Sequence, residues 1–388
     1  MDSSTQKHKN RTDHTFEWKL RDFNVARAQY RISVTVQGGT VGSYQPYLKV
    51  PEAFERSYKD ARSKGALLAI ISILVTVILF GLALIVFVQK YKTGELRWRF
   101  ALSFAIAVAV IGVCSQWNSL GLIKAHYDTA MNYGVFLASA LVGALMLLTL
   151  YAVFILLTGA SGEALAREIR PESVQPLHDL IDGHVFTPRF AMAAGRGYLA
   201  AMIMLGYLTA FYLIGQKFLG VWMAPTGPYS NIFNTAFPFL LPLSIGLMAA
   251  ISEEFTFRLF AVSITKKYLK RTFPALLIPA LVWGFAHSTY PVFPIYVRGI
   301  ELTIVGLFLG YLFLRYDILT TLVAHYAFDA FLIGMPLLIS NNNYFRISGW
   351  IVVFLGVLPV VPAAVVWARR RGAESHAGTG GDNGGGFE

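Results

Sequence analysis

The sequence predicts an all-α fold: a polytopic helical membrane protein of about nine transmembrane helices. Three observations predict it. First, only 14% of the 388 residues are charged while 55% are hydrophobic, against about one quarter charged in soluble domains. So few charges cannot cover a water-facing surface, so much of the surface must face lipid. This excludes a disordered chain, a coiled coil, a collagen and an ordinary soluble enzyme. Second, nine apolar stretches approach the ~20 residues that a bilayer requires. They lie near 66–88, 100–122, 134–158, 197–216, 235–258, 274–288, 295–315, 318–339 and 348–367. Third, the connectors alternate between rich and poor in Lys and Arg.

The elements follow in chain order. Residues 1–20 carry Lys7, Lys9, Arg11 and Lys19 with no apolar core behind them, so no signal peptide is read there. Residues 1–65 read as a polar, basic N-terminal region. Within it Tyr30 to Gly39 alternates and ends in Gly38-Gly39, the pattern of a hairpin strand. Pro51 to Lys64 reads as a helix leading into the first span. The first span, with the connector to residue 99, stands apart from a core over 100–370, whose motif region is 235–340. Residues 160–195 read as the longest internal loop, with a short helix at Ser161–Arg167 stopped by Pro171. The weakest span is 274–288, which holds Pro274, Pro279 and His287. The segment 371–388 reads as a disordered Gly-rich tail. Trp98, Trp222, Tyr229 and Trp350 read as interfacial anchors. Cys114 is the single cysteine, so no disulfide framework exists.

The net charge of +11 reads as topology and attraction to anionic lipid headgroups, with no nucleic-acid partner. Connectors 89–99, 159–196 and 259–273 and the Arg369–Arg371 cluster are the basic ones, which assigns the C-terminus to the cytoplasm. The N-terminal region then lies outside, although Arg56, Lys59, Arg62 and Lys64 flank the first span.

Ionisable groups inside spans are costly and mark function. Span five holds Glu253, Glu254 and Arg258, span six ends in Trp283-Gly-Phe-Ala-His287, and span eight holds His325 and Asp329. Consecutive helical residues point about 100° apart, so Glu253 and Glu254 do not easily share a target. Glu254 and Arg258, four apart, form a self-neutralising pair, which leaves Glu253 as the acid suited to general acid/base work. His325 and Asp329 share a helix face, where a carboxylate can fix an imidazole tautomer. Counting ~1.5 Å per residue from the cytoplasmic ends puts His325 about 12 Å, Glu254 about 18 Å and His287 about 20 Å deep, compatible with one cavity. A Glu base and two His can activate water for hydrolysis. Alternatively Glu253, His287 and His325 hold a Zn²⁺ with an open position. No His-Glu-x-x-His helix and no Gly-x-Ser-x-Gly elbow is present. Arg298 and Glu301 read as an ion pair at the start of span seven.

Glu253-Glu254-x-x-x-Arg258, Trp283-x-x-x-His287 and His325-x-x-x-Asp329, in that order, resemble the CPBP intramembrane proteases. These are the type II CAAX prenyl endopeptidases and their bacterial bacteriocin-processing and immunity relatives. The resemblance covers about residues 235–340, including the helix with Gly306-x-x-x-Gly310. It implies an eight-helix catalytic core and a membrane-embedded endopeptidase, of the bacterial cytoplasmic membrane in this chain. Lipids and a peptide or protein substrate reaching the site from the membrane or cytoplasmic side are the implied partners. By the same resemblance Glu253 is the catalytic acid/base, supported by Glu254 and Arg258. His287 assists the water, and His325 with Asp329 stabilises the oxyanion; metal use stays open between Zn²⁺ and none. Trp283 stands where the family usually has Phe, and Asp329 where prenyl proteases have Asn. A non-proteolytic scaffold or immunity-type protein of the same fold, and a proton-coupled transporter, are the alternative readings.

Overall fold

A computed structural model describes residues 1–23, 25–224 and 230–379. The N-terminal region opens with four strands, β1 (Asp2–Lys7), β2 (Thr12–Lys19), β3 (Gln29–Gln37) and β4 (Thr40–Lys49). They form an antiparallel meander in the order β1-β2-β3-β4. Alternation puts Phe16 opposite Val34 and Trp18 opposite Ile32, and Tyr44 also pairs with Val34. One face of the sheet is therefore apolar. The β3–β4 turn is Gly38-Gly39, with Gly38 at φ 61°, a conformation that glycine adopts without a Cβ penalty. The hairpin read from the sequence is thus one half of a larger sheet.

Helix α1 (Glu52–Lys92) carries Pro51 at its N-cap, Glu52 and Glu55 in its first turn and Lys90 and Lys92 in its last. Acid at the start and base at the end suit the helix dipole. At ~1.5 Å per residue its 41 residues outrun a ~30 Å hydrocarbon layer. Its polar first half is laced by Glu55–Lys59 and Asp60–Lys64 pairs. Then follow α2 (Trp98–Asn118), α3 (Leu120–Ala125) and α4 (Tyr133–Ile169). Asn132 caps α4 by accepting from the amides of Gly134 and Val135.

Where the sequence suggested a loop from residue 160, α4 instead runs on unbroken to Ile169. Glu163, placed by the sequence in a short helix of that loop, is fully buried and paired with His178 at 3.0 Å and Arg167 at 3.1 Å. A polar residue so satisfied does not end a helix. The real link is short: α5 (Gln175–Ile181), then α6 (Pro188–Leu219), capped by the Thr187 hydroxyl and stopped at Gly220 in the left-handed region. A strand β5 (Trp222–Met223) follows.

The next rod is continuous from Leu240 to Leu269: α7 (Leu240–Glu253), a π-helical stretch (Glu254–Val262) and α8 (Ser263–Leu269). Then come α9 (Thr272–Ala286), strand β6 (Val292–Phe293) paired with β5, α10 (Val297–Arg315), α11 (Ile318–Leu338), α12 (Asn343–Gly356) and α13 (Val360–Thr379). Helix α13 continues past Ala373; residues 380–388 of the Gly-rich tail, and Tyr229, lie outside the described residues.

Among the described residues seven helices are long and apolar enough to cross a membrane, or eight if α12 and α13, bent by 48°, count as one span. The remaining apolar stretch, the sixth in chain order, is α9, whose 15 residues reach ~22 Å and fall short of a bilayer. This is a polytopic helical membrane protein with a small N-terminal sheet. Burial grades inward. The apolar part of α11 is 72% buried, while those of α1 and α4 are 17% buried and show Leu67, Ile78, Leu141 and Met146 outward, as lipid-facing helices must. Glycines let the helices close up. A Cβ on Gly162 of α4 would lie 2.9 Å from the backbone of Leu259 and Phe260 in the π stretch.

Candidate active site

The rod from Leu240 to Leu269 fixes the two glutamates at the junction between its α and π segments. There the Thr256 hydroxyl donates to the Ser252 carbonyl at 2.6 Å, and Ser252 receives the Tyr151 hydroxyl at 2.5 Å. The first of these bonds goes to a backbone carbonyl at the widened turn and the second to the Ser252 hydroxyl. Glu254 points inward and is fully buried. It meets Arg258 at 3.1 Å and accepts a 2.8 Å hydrogen bond from His325 Nδ1. Arg258 is itself buried, and its guanidinium lies 4.2 Å from the centre of the Trp283 ring, a desolvated cation–π contact.

Glu253 faces the other way, into a cavity of about 370 Å³ shared with His287, His325, Asp329, Trp283, Tyr290 and Arg298. Its Oε2 accepts the Trp283 indole N–H and stands 3.8 Å from His325 Nε2. Its Oε1 stands 3.9 Å from His287 Nε2. His287 Nδ1 lies 2.9 Å from the Trp283 carbonyl. A carbonyl only accepts, so Nδ1 carries a proton, and in the neutral form of the ring Nε2 turns its lone pair toward Glu253. His325 Nε2 is 3.4 Å from Asp329 Oδ2.

All seven residues singled out in the sequence therefore meet. Two details differ from expectation. Glu253 and Glu254 do share a target, because the target has two ends: Glu254 takes Nδ1 of the His325 imidazole and Glu253 faces Nε2. Trp283 also does more than fill the place of a Phe, since a benzyl ring has no N–H to give Glu253.

Other residues at the site carried no sequence signal. A second cavity, of about 400 Å³, reaches Glu253, Trp283 and His287 from the opposite side and is walled by Ile73, Thr76, Val77 and Phe80 of α1. The first span, read as an addition to the core, thus walls the site. Gly65 of α1 seats it on the loop after His287, for a Cβ there would lie 2.4 Å from the Ser288 carbonyl. Arg298 is paired with the fully buried Glu301, which also accepts from the Tyr212 hydroxyl at 3.2 Å. The ion pair read at the start of span seven is present and faces the cavity.

The zinc alternative does not fit this arrangement. Among the described residues no three His, Cys, Asp or Glu side chains are grouped so as to hold a metal ion. The Glu253 oxygen nearest His325 is already taken by the indole, and His325 Nδ1 by Glu254.

Comparison with known proteins agrees with the geometry. Residues 235–331 match the family model of the type II CAAX prenyl endopeptidase Rce1-like proteins. Through this segment the chain resembles the CPBP family of intramembrane proteases. Over 141 residues it is 26% identical to the sporulation-killing factor biosynthesis protein SkfC of Bacillus subtilis (strain 168). That similarity covers 36% of this chain and 28% of the relative, so the chain spans under a third of the relative's length. No solved structure matches the chain significantly.

Proposed function

We propose that the chain is an intramembrane endopeptidase that hydrolyses a peptide bond with a water activated by Glu253. One observation carries the reading: Glu253 Oε1 and His287 Nε2 stand 3.9 Å apart across a cavity wall. That gap is too wide for a direct hydrogen bond, but a water ~2.8 Å from both atoms fits it. Both atoms accept, so both protons of the water are engaged and an oxygen lone pair is left to attack. The indole N–H on Oε2 and the carbonyl on His287 Nδ1 hold the two acceptors in place.

The water oxygen adds to the substrate carbonyl carbon while Glu253 takes its proton. The developing oxyanion is stabilised by His325, whose Nε2, when protonated, donates into the cavity while Glu254 holds Nδ1. Collapse of the tetrahedral adduct breaks the C–N bond, and Glu253 returns the proton to the leaving amine. Asp329 is an acceptor beside His325 Nε2, which assigns it to orienting the imidazole, because an ionised carboxylate has no proton to donate. A peptide or protein substrate reaches the cavity from the membrane or cytoplasmic side. The alternating charge of the connectors supports a cytoplasmic C-terminus, and the bacterial relative supports the bacterial cytoplasmic membrane.

The test is cleavage by purified protein. Glu253→Gln keeps the size of the side chain and removes its basicity, so cleavage should be lost while the protein remains inserted and folded. Full activity in that variant would remove Glu253 from the mechanism, and a chelator should leave wild-type activity unchanged.

A further inference from the structure

Away from the catalytic cavity, the C-terminal ends of α4, α8 and α10 and the start of α9 enclose a separate pocket of about 360 Å³. Three cations line it: Arg170, Lys266 and Arg315. No acidic side chain is among its lining residues. Outside the lining, Glu172 lies 3.8 Å from Arg170 Nε with its side chain 73% exposed, the buried Asp317 attracts Arg170 and Arg196, and Glu168 is engaged by Lys90 and Lys267. Cations at helix C-termini complement the dipole, and Arg170 does donate one 2.7 Å bond to the Leu314 carbonyl. That contact uses one of the five guanidinium donors. Lys266 spends one donor on the Thr272 hydroxyl at 2.7 Å.

A second observation points to a ligand. Ser263 lines the same pocket with 1% of its surface exposed. Its Oγ is buried without a hydrogen-bond partner. A buried hydroxyl without a partner is costly, and here it sits beside three cations. The rest of the wall is apolar, through Leu276, Phe313 and the exposed Tyr311. The pocket lies at the ends of membrane-spanning helices, the level at which lipid phosphates sit.

We propose that this pocket binds the phosphate of an anionic phospholipid headgroup. Arg170, Lys266 and Arg315 supply the charge, Ser263 supplies a hydroxyl donor, and the apolar wall takes the start of an acyl chain. The bound lipid ties α4, α9 and α10 to the rod that carries Glu253 and Glu254, ten and nine residues before Ser263.

The experiment is native mass spectrometry of the full chain released from micelles doped with phosphatidylglycerol or phosphatidylcholine, with a third arm of inorganic phosphate alone. The expected result is selective retention of phosphatidylglycerol, unmoved by millimolar inorganic phosphate. Lys266→Gln/Arg315→Gln leaves the buried packing intact and should weaken retention about thirtyfold. Ser263→Ala should weaken it less, and Arg97→Gln, a basic residue outside the pocket, should leave it unchanged. Equal retention of phosphatidylcholine would overturn the proposal. So would an Arg97→Gln loss as large as that of the double variant, which describes a diffuse basic surface. Displacement of the lipid by inorganic phosphate would make the site one for free phosphate and overturn the lipid assignment.

Discussion

Glu254→Gln separates what the buried charges do for stability from what they do for His325. Wild-type Glu254 is fully buried, and the Arg258 side chain is 2% exposed. Removing one partner strands the other, which costs about 3–5 kcal/mol for a buried pair. The amide is isosteric and still accepts from His325 Nδ1, and the ring of Trp283 still faces the guanidinium, so the low end, about 3 kcal/mol, is expected. Arg258→Met alone should cost a similar amount, because a carboxylate is then stranded. The double variant Glu254→Gln/Arg258→Met strands no charge and should return to within about 1 kcal/mol of wild type. Its activity should stay depressed by about 10–100-fold, because the imidazole has exchanged a charged acceptor for a neutral one. Unfolding in mixed micelles reads the stability and peptide cleavage reads the activity. A double variant as unstable as either single, or one that cleaves at the wild-type rate, would refute the assignment of Glu254 to both tasks.

Four further outcomes follow from the same geometry. Trp283→Phe removes the N–H on Glu253 but keeps a ring near Arg258; kcat should fall about tenfold, the low end for a hydrogen bond to a charged group, with little change in unfolding. Val77→Trp fills the cavity on the α1 side, so cleavage should fall while thermal stability holds, and an unchanged rate would show that substrate does not use that side. Gly162→Ala forces a methyl against the backbone of the π stretch and should destabilise the protein by about 1–3 kcal/mol, read by unfolding in micelles. In the N-terminal sheet, the Arg11 guanidinium on Asp13 holds that carboxyl below its ordinary value of 3.8. The carboxyl's contribution is thus present above the unfolded-state value and lost as pH falls through the lower folded value. NMR titration should show Asp13 returning toward 3.8 in Arg11→Gln.

Glu253, His287 and His325 were legible in the sequence because ionisable groups in apolar runs are rare and their helical depths can be counted. The Glu254–Arg258 pair followed from spacing alone. The indole bond of Trp283 was not legible, because a Trp in an apolar helix reads as packing until its N–H is seen to aim at an acid. Nor was the part of α1: Ile73, Val77 and Phe80 carry no chemistry, and their place beside Glu253 is set by where α1 packs. The extent of α4 was misread because Glu163 has its partners in His178, fifteen residues on, and in Arg167, which a local reading took for a loop helix. In the N-terminal region the Gly38-Gly39 turn announced β3 and β4, whereas β1, all polar, has no apolar alternation to announce it.

The nine-residue π segment has a consequence for how this chain tolerates length change. A π turn holds one residue more than an α turn closing the same span. Deleting a single residue between 255 and 262 would let one turn relax to ordinary α geometry with the flanking helices kept near their present phase, whereas the same deletion in an α stretch spins everything downstream by roughly 100°. Glu254 would stay in place, and Lys266 would keep its bond to Thr272 at the start of α9. The rod therefore absorbs its surplus residue without losing register between its acid end and its basic end, and a lone deletion there should be better tolerated than one in the α stretches on either side.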